Sequence, residues 1–206
     1  MLVHSLEDRY IESIGHAFGY YDYGEEKGLA SAFKDRDRTA VYICGFARAM
    51  LHAGLLSATS PCYEGFIAYK LPGQKIRPSA FLPLLQGVFR SMTLAELLRF
   101  ARAMKQGGAS LRDQYDKRKA PYIFVGMLCV PEAYQHQGYM RKLLDMAYQE
   151  GERLGVPVIL ETDAMSKCEK YQHLGMELAG TRDVGAFGKL YDLIRYPEKP
   201  ASKEVL

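Results

Sequence analysis

The sequence predicts an α/β domain with a mixed, splayed central sheet, helices on both faces and a helical insertion before the central strand. Residues 122–130 predict that strand, because they form a nearly unbroken apolar run typical of a strand buried on both faces. Behind it, an amphipathic segment from Gly138 to near Gly155 is typical of a helix. A second apolar run follows at residues 156–162, so a parallel strand–helix–strand unit is expected.

The segments before this unit are mainly helical in pattern. Helices are predicted at residues 6–18, 38–52, 79–90, 93–104 and 111–118, and two short strands, expected to pair as a hairpin, at residues 55–59 and 63–70. Ser5 is the expected N-cap of the first helix. Thr93, with Glu96 three residues later, predicts a capping box at the fourth.

The C-terminal part continues with one helix and two strands. Asp163 or Ser166 is expected to cap a helix that ends at Gly175. Closing strands are predicted at residues 177–181 and 189–196, and the tail after Pro197 is expected to be frayed.

A glycine- and tyrosine-rich loop is predicted at residues 18–26. Its aromatic and acidic side chains have the chemistry to receive a cationic amine through cation–π and carboxylate contacts. Aromatic side chains packed over an edge of the core are the commoner outcome, and we expect that arrangement here.

Length and composition indicate one globular domain over residues 1–206, since 48% of the residues are hydrophobic and 25% are charged. No apolar run is long enough to span a membrane. Glu7, Asp8 and Arg9 stand where a signal peptide would be apolar, so a cytoplasmic location is expected. The sequence gives no indication of oligomeric state, and a homodimer is one open alternative.

Charge and cysteine usage exclude several functions. The net charge is +3 and the basic residues are spread along the chain, so no nucleic-acid partner is expected. The four cysteines are scattered and predict free thiols. Cys129 is expected to be a core residue rather than a nucleophile. No histidine has a partner at metal-ligand spacing, so no metal is expected.

The turn before the helix at Gly138 has the features of an anion site. Backbone N–H groups at a helix N-terminus point outward and the helix dipole favours negative charge, so a phosphate group fits there. Taken alone, Gly138 is better explained as a residue that tightens a strand-to-helix turn.

The residues from Leu128 to Met140 resemble the acyl-CoA-binding signature of the GNAT superfamily of N-acyltransferases, Gln/Arg-x-x-Gly-x-Gly/Ala. Gln135 and Gly138 match, whereas Met140 stands where a small residue is usual. The resemblance implies acetyl-CoA as acyl donor, without a metal. The cofactor-binding residues that it implies are Leu128, Cys129, Val130, Gln135, His136, Gln137, Gly138, Tyr139, Met140 and Arg141.

A second element supports the same family. Tyr171-x-x-x-Gly175-Met176 resembles the Tyr-x-x-x-Gly-Phe element that ends the core of many GNAT enzymes. The triplet that contains Glu161 (Leu-Glu-Thr) is similar to the puromycin-acetyltransferase-like branch. Lys167 stands where many relatives have an asparagine, so a cofactor contact of the family is missing or replaced.

The resemblance implies an N-acetyltransferase that acts on a primary amine, more readily of a small molecule than of a protein, by direct attack in a ternary complex. Glu161 is the expected base and Tyr171 the expected proton donor to the leaving thiolate. Backbone N–H groups near Leu128 and Val130 are expected to polarise the carbonyl, if a bulge at Gly126 splays the sheet.

Other interpretations stay open from the sequence. A non-catalytic acyl-CoA sensor would need Gln135 and Gly138 but neither Tyr171 nor Glu161, and a generic phosphate- or nucleotide-binding protein is a further alternative. Glu161 is alternatively a solvated carboxylate and Tyr171 a half-buried helix residue. The acceptor pocket is expected to be shaped by residues 79–118 and 20–23.

Overall fold

The computed structural model describes residues 1–198, which form seven α-helices and six strands. The sequence predicts a frayed tail after Pro197, and the residues from 199 onward lie outside the part of the chain that is described. The helices are α1 (Asp8–Gly19), α2 (Arg36–His52), α3 (Leu82–Ser91), α4 (Leu94–Gln106), α5 (Leu111–Arg118), α6 (Tyr139–Leu154) and α7 (Met165–His173). The strands are β1 (Leu56–Ala58), β2 (Phe66–Lys70), β3 (Ile123–Cys129), β4 (Val158–Thr162), β5 (Glu177–Asp183) and β6 (Lys189–Arg195).

The strands form one mixed sheet in the order β1-β2-β3-β4-β6-β5. β3 and β4 pair in parallel, and every other neighbouring pair is antiparallel. The predicted α/β fold, the hairpin and the parallel central pair are therefore confirmed. None of the helices in residues 1–198 combines the length and the hydropathy that crossing a membrane requires.

Helices cover both faces of this sheet. Ile11 and Ile14 of α1 and Ile43 of α2 pack with Phe66 and Met127 in one buried cluster. On the opposite face, α6 contributes to a second cluster, whose largest buried members include Leu143, Leu144, Ile123, Leu160 and Leu193. The sheet is therefore the middle layer of three.

A bulge at Gly126 changes the faces that β3 presents. Ala68 pairs with Met127 and Tyr69 pairs with Val125, so Gly126 has no partner on β2. Val125 consequently packs in the α6 cluster, whereas Met127 packs in the α1–α2 cluster. Gly126 itself is exposed, which corrects the prediction that the apolar run is buried on both faces.

The sheet opens between its two central strands. β3 pairs with β4 only from Ile123 to Val125, opposite Val158 to Leu160. Both strands then continue, β3 to Cys129 and β4 to Thr162, without pairing to each other. The predicted splay is thus present, directly after the bulge.

Two predicted helix starts are wrong. α1 begins at Asp8 with Glu7 as its N-cap residue, rather than behind Ser5. Neither Asp163 nor Ser166 caps α7, which starts at Met165 after Ala164. The carboxylate of Glu26 instead accepts the Met165 N–H at 2.9 and 3.1 Å. The capping box of Thr93 and Glu96 is confirmed.

Candidate active site

A cavity of about 400 Å³ lies where β3 and β4 separate. Its walls come from the ends of these strands, the turn before α6, α7 and the C-terminal part of α1. The glycine- and tyrosine-rich loop at residues 18–26 contributes Tyr21. No residue of the segment 79–118 is among those that line the cavity, which corrects the expectation that this helical segment shapes the pocket.

The turn before α6 is held by its own side chains. The amide of Gln135 donates to the carbonyl of Val130 at 3.2 Å, and the amide of Gln137 donates to the carbonyl of Ala133 at 3.1 Å. His136 and Gly138 both adopt left-handed backbone conformations, with φ of 61° and 80°. A Cβ built on Gly138 would meet no atom within 4 Å, so the backbone there faces open space.

This turn presents free backbone donors to the cavity. The first main-chain bond of α6 runs from the Lys142 N–H to the Gly138 carbonyl at 3.3 Å. The N–H groups of residues 138–141 therefore have no partner within the helix. The first turn contains no acidic side chain, while Arg141 and Lys142 are basic. These residues fit a pyrophosphate group, because donors, helix dipole and charge all favour an anion.

Most of the predicted cofactor-binding residues meet at this cavity. Those that line it are Leu128, Cys129, Val130, Gln135, His136, Gly138, Tyr139 and Met140. Gln137 and Arg141 are exposed and do not line it. Cys129 is 3% exposed, and burial raises the pKa of its thiol to about 12. A thiol that stays protonated is a core residue rather than a nucleophile, in agreement with the sequence analysis.

Tyr171 lines the same cavity from α7. Its hydroxyl makes no hydrogen bond to the described residues, 1–198. Burial raises the pKa of this phenol well above its usual range, and the negative charge of Asp163 adds to the effect. The phenol therefore stays protonated and keeps a proton available for donation.

Glu161 also lines the cavity, at the end of β4, but it is not a free carboxylate. Its Oε2 lies 2.7 Å from the guanidinium of Arg182 on β5. Arg182 in turn binds both oxygens of the buried Asp192 on β6, at 2.9 and 3.0 Å. Glu161 therefore belongs to an ion-pair network across three strands, with its side chain 26% exposed, and its role as the base stays a prediction.

Lys167 is the main residue of this site whose surroundings the sequence does not reveal. Its ammonium lies 2.7 Å from Asp163 and 3.3 Å from the hydroxyl of Tyr23. It also lies 4.1 and 4.5 Å from the ring centroids of Tyr21 and Tyr23. The expectation that the loop tyrosines pack over an edge of the core does not hold for these two. The i,i+4 spacing of Asp163 and Lys167 was the available signal.

Known proteins share this fold and one segment of this sequence. Residues 99–176 match a sequence model of the acetyltransferase (GNAT) family. A crystal structure described as a histone acetyltransferase HPA2 and related acetyltransferase from Corynebacterium glutamicum is 12% identical, covers 98% of both chains and has a TM-score of 0.60. Arylalkylamine N-acetyltransferase 2 from Aedes aegypti is 9% identical, covers 93% of this chain and 96% of that chain, and has a TM-score of 0.54. No curated protein sequence matched.

Identity this low shows a shared fold, and the family match covers the segment that contains β3, α6 and α7. The whole-chain fold is therefore shared with these acetyltransferase structures, and residues 99–176 are similar to the GNAT family model. The same segment supplies the turn at Gly138 and the phenol of Tyr171.

Proposed function

We propose that this protein is an N-acetyltransferase that transfers the acetyl group of acetyl-CoA to a primary amine, by direct attack in a ternary complex. The observation that carries the proposal is a single cavity that joins the donor-rich turn before α6, the opening between β3 and β4, and Tyr171. A small-molecule amine is the preferred acceptor.

Acetyl-CoA supplies an activated acetyl group and a thiol leaving group. The turn at residues 135–140 would hold its pyrophosphate, because the N–H groups of residues 138–141 have no partner within the helix. The open edge of β3 beyond Val125 leaves main-chain groups of Leu128 and Val130 beside the cavity. N–H groups in this position suit the polarisation of a carbonyl oxygen.

The acceptor amine must be deprotonated before it attacks, since the ordinary pKa of an alkylammonium is about 10.4. We assign this role to Glu161, directly or through water, because Arg182 holds its carboxylate at the cavity wall. The new carbon–nitrogen bond forms as the carbon–sulfur bond breaks. Tyr171 donates its proton to the departing sulfur, and solvent reprotonates the phenol.

The similarity of residues 160–162 to the puromycin-acetyltransferase-like branch is part of this proposal and stays a prediction. The cytoplasmic location also stays a prediction.

A thiol-release screen tests the proposal. Purified protein is mixed with acetyl-CoA and a panel of antibiotics, polyamines, amino acids and peptides, and free CoA is measured. We expect release that depends on at least one amine, with the acetylated product confirmed by mass spectrometry. CoA binding without turnover on the whole panel would favour a non-catalytic acyl-CoA sensor, and equal affinity for ATP and CoA would favour a generic phosphate-binding protein.

A further inference from the structure

Three side chains enclose the ammonium of Lys167. Asp163 accepts a hydrogen bond from it at 2.7 Å, and the rings of Tyr21 and Tyr23 lie at 4.1 and 4.5 Å. We call Tyr21, Tyr23 and Asp163 the ammonium cage. Each component attracts a positive charge, one as a carboxylate and two through their ring faces.

Hydrogen bonds hold the side chains of the ammonium cage in place. Asp163 also accepts hydrogen bonds from the Tyr23 hydroxyl and the Leu29 N–H, both at 2.7 Å. The Tyr21 hydroxyl lies 2.9 Å from the hydroxyl of Ser166. These bonds join residues more than 130 positions apart, and they hold the loop against the start of α7.

The cage borders the candidate active site through Tyr21, whereas Tyr23 and Asp163 lie behind it and do not line the cavity. Tyr21, Lys167 and Tyr171 all line the cavity. Lys167 and Tyr171 are four residues apart on α7, so they project from the same face one turn from each other. An ammonium in the cage is therefore a near neighbour of the proposed proton donor.

A caged ammonium is a poor nucleophile. The carboxylate and the two rings stabilise the charged form of an amine, whereas attack on a thioester needs the neutral form. The side chains of Lys167 and Asp163 are only 16% and 17% exposed, so solvent screens the attraction weakly. The cage consequently suits an ammonium that anchors a molecule, not the nitrogen that reacts.

We propose that the acceptor is a diamine: the cage binds its non-reacting ammonium, and Lys167 fills the cage until the acceptor displaces it. This inference rests on the proposed N-acetyltransferase function and names the substrate class. The reacting amine then lies on the far side of the acceptor's alkyl chain, toward Glu161 and Tyr171. Lys167 competes as a tethered ligand with a high effective concentration, so it weakens the apparent affinity for diamines.

The test compares each diamine with a monoamine of the same shape. The probes are 1,3-diaminopropane to 1,6-diaminohexane, each paired with the monoamine in which a methyl group replaces one amine, n-butylamine to n-heptylamine. In the wild-type protein we expect kcat/KM for the best diamine to exceed that of its partner by about tenfold or more. In Lys167→Ala, which empties the cage, KM for that diamine should fall by about tenfold.

Lys167→Met is the matched control, because it removes the charge but leaves an aliphatic chain in the cage. It should not lower KM for the diamine. Tyr21→Leu removes one ring from the side that faces the cavity, and it should reduce the preference for diamines while acetyl-CoA affinity stays constant. This second variant keeps the proposal testable if Lys167→Ala fails to fold.

Equal kcat/KM for diamines and monoamines in the wild type and in Lys167→Ala would overturn the proposal. So would a loss of acetyl-CoA affinity in Lys167→Ala without a gain for diamines, because Lys167 would then be a cofactor contact. Calorimetry separates a failure of the proposed N-acetyltransferase function from a failure of the diamine proposal. If the wild type binds no acetyl-CoA, the proposed function fails, and direct titration of Lys167→Ala with 1,6-diaminohexane still shows whether the cage binds an ammonium.

Discussion

The Nη2 of Arg182 lies 2.7 Å from the Glu161 carboxylate, and Nε and Nη2 both donate to Asp192. The three side chains come from β5, β4 and β6, so the Arg182–Asp192 pair joins neighbouring strands and the Arg182–Glu161 pair spans the intervening β6. Asp192 is 3% exposed, and Arg182 satisfies both of its oxygens. Arg182 therefore fixes Glu161 in the cavity wall through one oxygen, which leaves the other oxygen available to a substrate or a water molecule.

Glu161→Gln should lower kcat at pH 7 by about 10² to 10⁴, because the amide cannot accept the proton of the attacking amine. Near pH 10 the deficit should shrink, since a large fraction of the acceptor is then already neutral. Steady-state kinetics at both pH values, with a substrate from the screen, measure the effect. A deficit of equal size at both pH values would mean that Glu161 has another role.

Tyr171→Phe should lower kcat by about 10² to 10⁴ and leave acetyl-CoA affinity nearly unchanged, because the phenol acts mainly as charge develops on the departing sulfur. Since the hydroxyl has no hydrogen-bond partner in residues 1–198, the melting temperature should barely move. Tyr148→Phe is the matched control: its hydroxyl donates to the Leu174 carbonyl, so its loss should cost about 1 kcal/mol of stability but no kcat. Wild-type turnover in Tyr171→Phe would refute the assigned role.

Gly138→Asp should abolish acetyl-CoA binding, because the new carboxylate would occupy the open space beside the free N–H groups and repel a phosphate. The positive φ of 80° strains any side chain there, so the comparison needs Gly138→Asn, which has the same size without the charge. Isothermal calorimetry should show a far larger loss for Asp than for Asn. Unchanged affinity for acetyl-CoA in Gly138→Asp would show that the cofactor does not bind at this turn.

Met140→Gly restores the small residue that is usual at this position, and acetyl-CoA binding should be equal or tighter. Met140 is half-buried and lines the cavity, so its side chain occupies space beside the turn. Glycine also weakens the first turn of α6 by about 1 kcal/mol, which thermal unfolding measures separately. A large loss of affinity in a folded variant would show that Met140 supports the turn.

Asp163→Asn should destabilise the protein by about 3 kcal/mol at pH 7, because it leaves the ammonium of Lys167 without its counter-charge. Burial raises the pKa of Asp163, but Lys167, the Leu29 N–H and Tyr23 outweigh it and leave the pKa below its usual value. A lowered folded-state pKa stabilises the fold above the unfolded value of about 3.9, and this contribution disappears as pH falls through the folded value.

The difference in stability between the wild type and Asp163→Asn should therefore be constant near pH 7 and narrow below about pH 4. Urea unfolding from pH 7 to pH 3 measures it. In a double-mutant cycle with Lys167→Met, the two substitutions should be strongly non-additive. Additive effects would mean that the pair contributes little to stability.

The sequence by itself determined the central unit of this fold. The apolar run of β3, the turn at Gly138 and the amphipathic pattern of α6 are local features, because strand alternation, helix periodicity and a left-handed glycine each depend on residues a few positions apart. The bulge at Gly126 and the opening after Val125 were also predictable, since a glycine inside a strand marks such an irregularity.

Only the tertiary structure decided what surrounds that unit. Glu26 caps α7 from 139 residues away, and Tyr23 meets Lys167 across 144 residues. The Glu161–Arg182–Asp192 network likewise needs the strand order β4-β6-β5. No local pattern encodes these pairs, because they depend on where the chain returns after folding. The residues that face the acceptor in the candidate active site are distant in sequence. Only the folded chain brings them side by side.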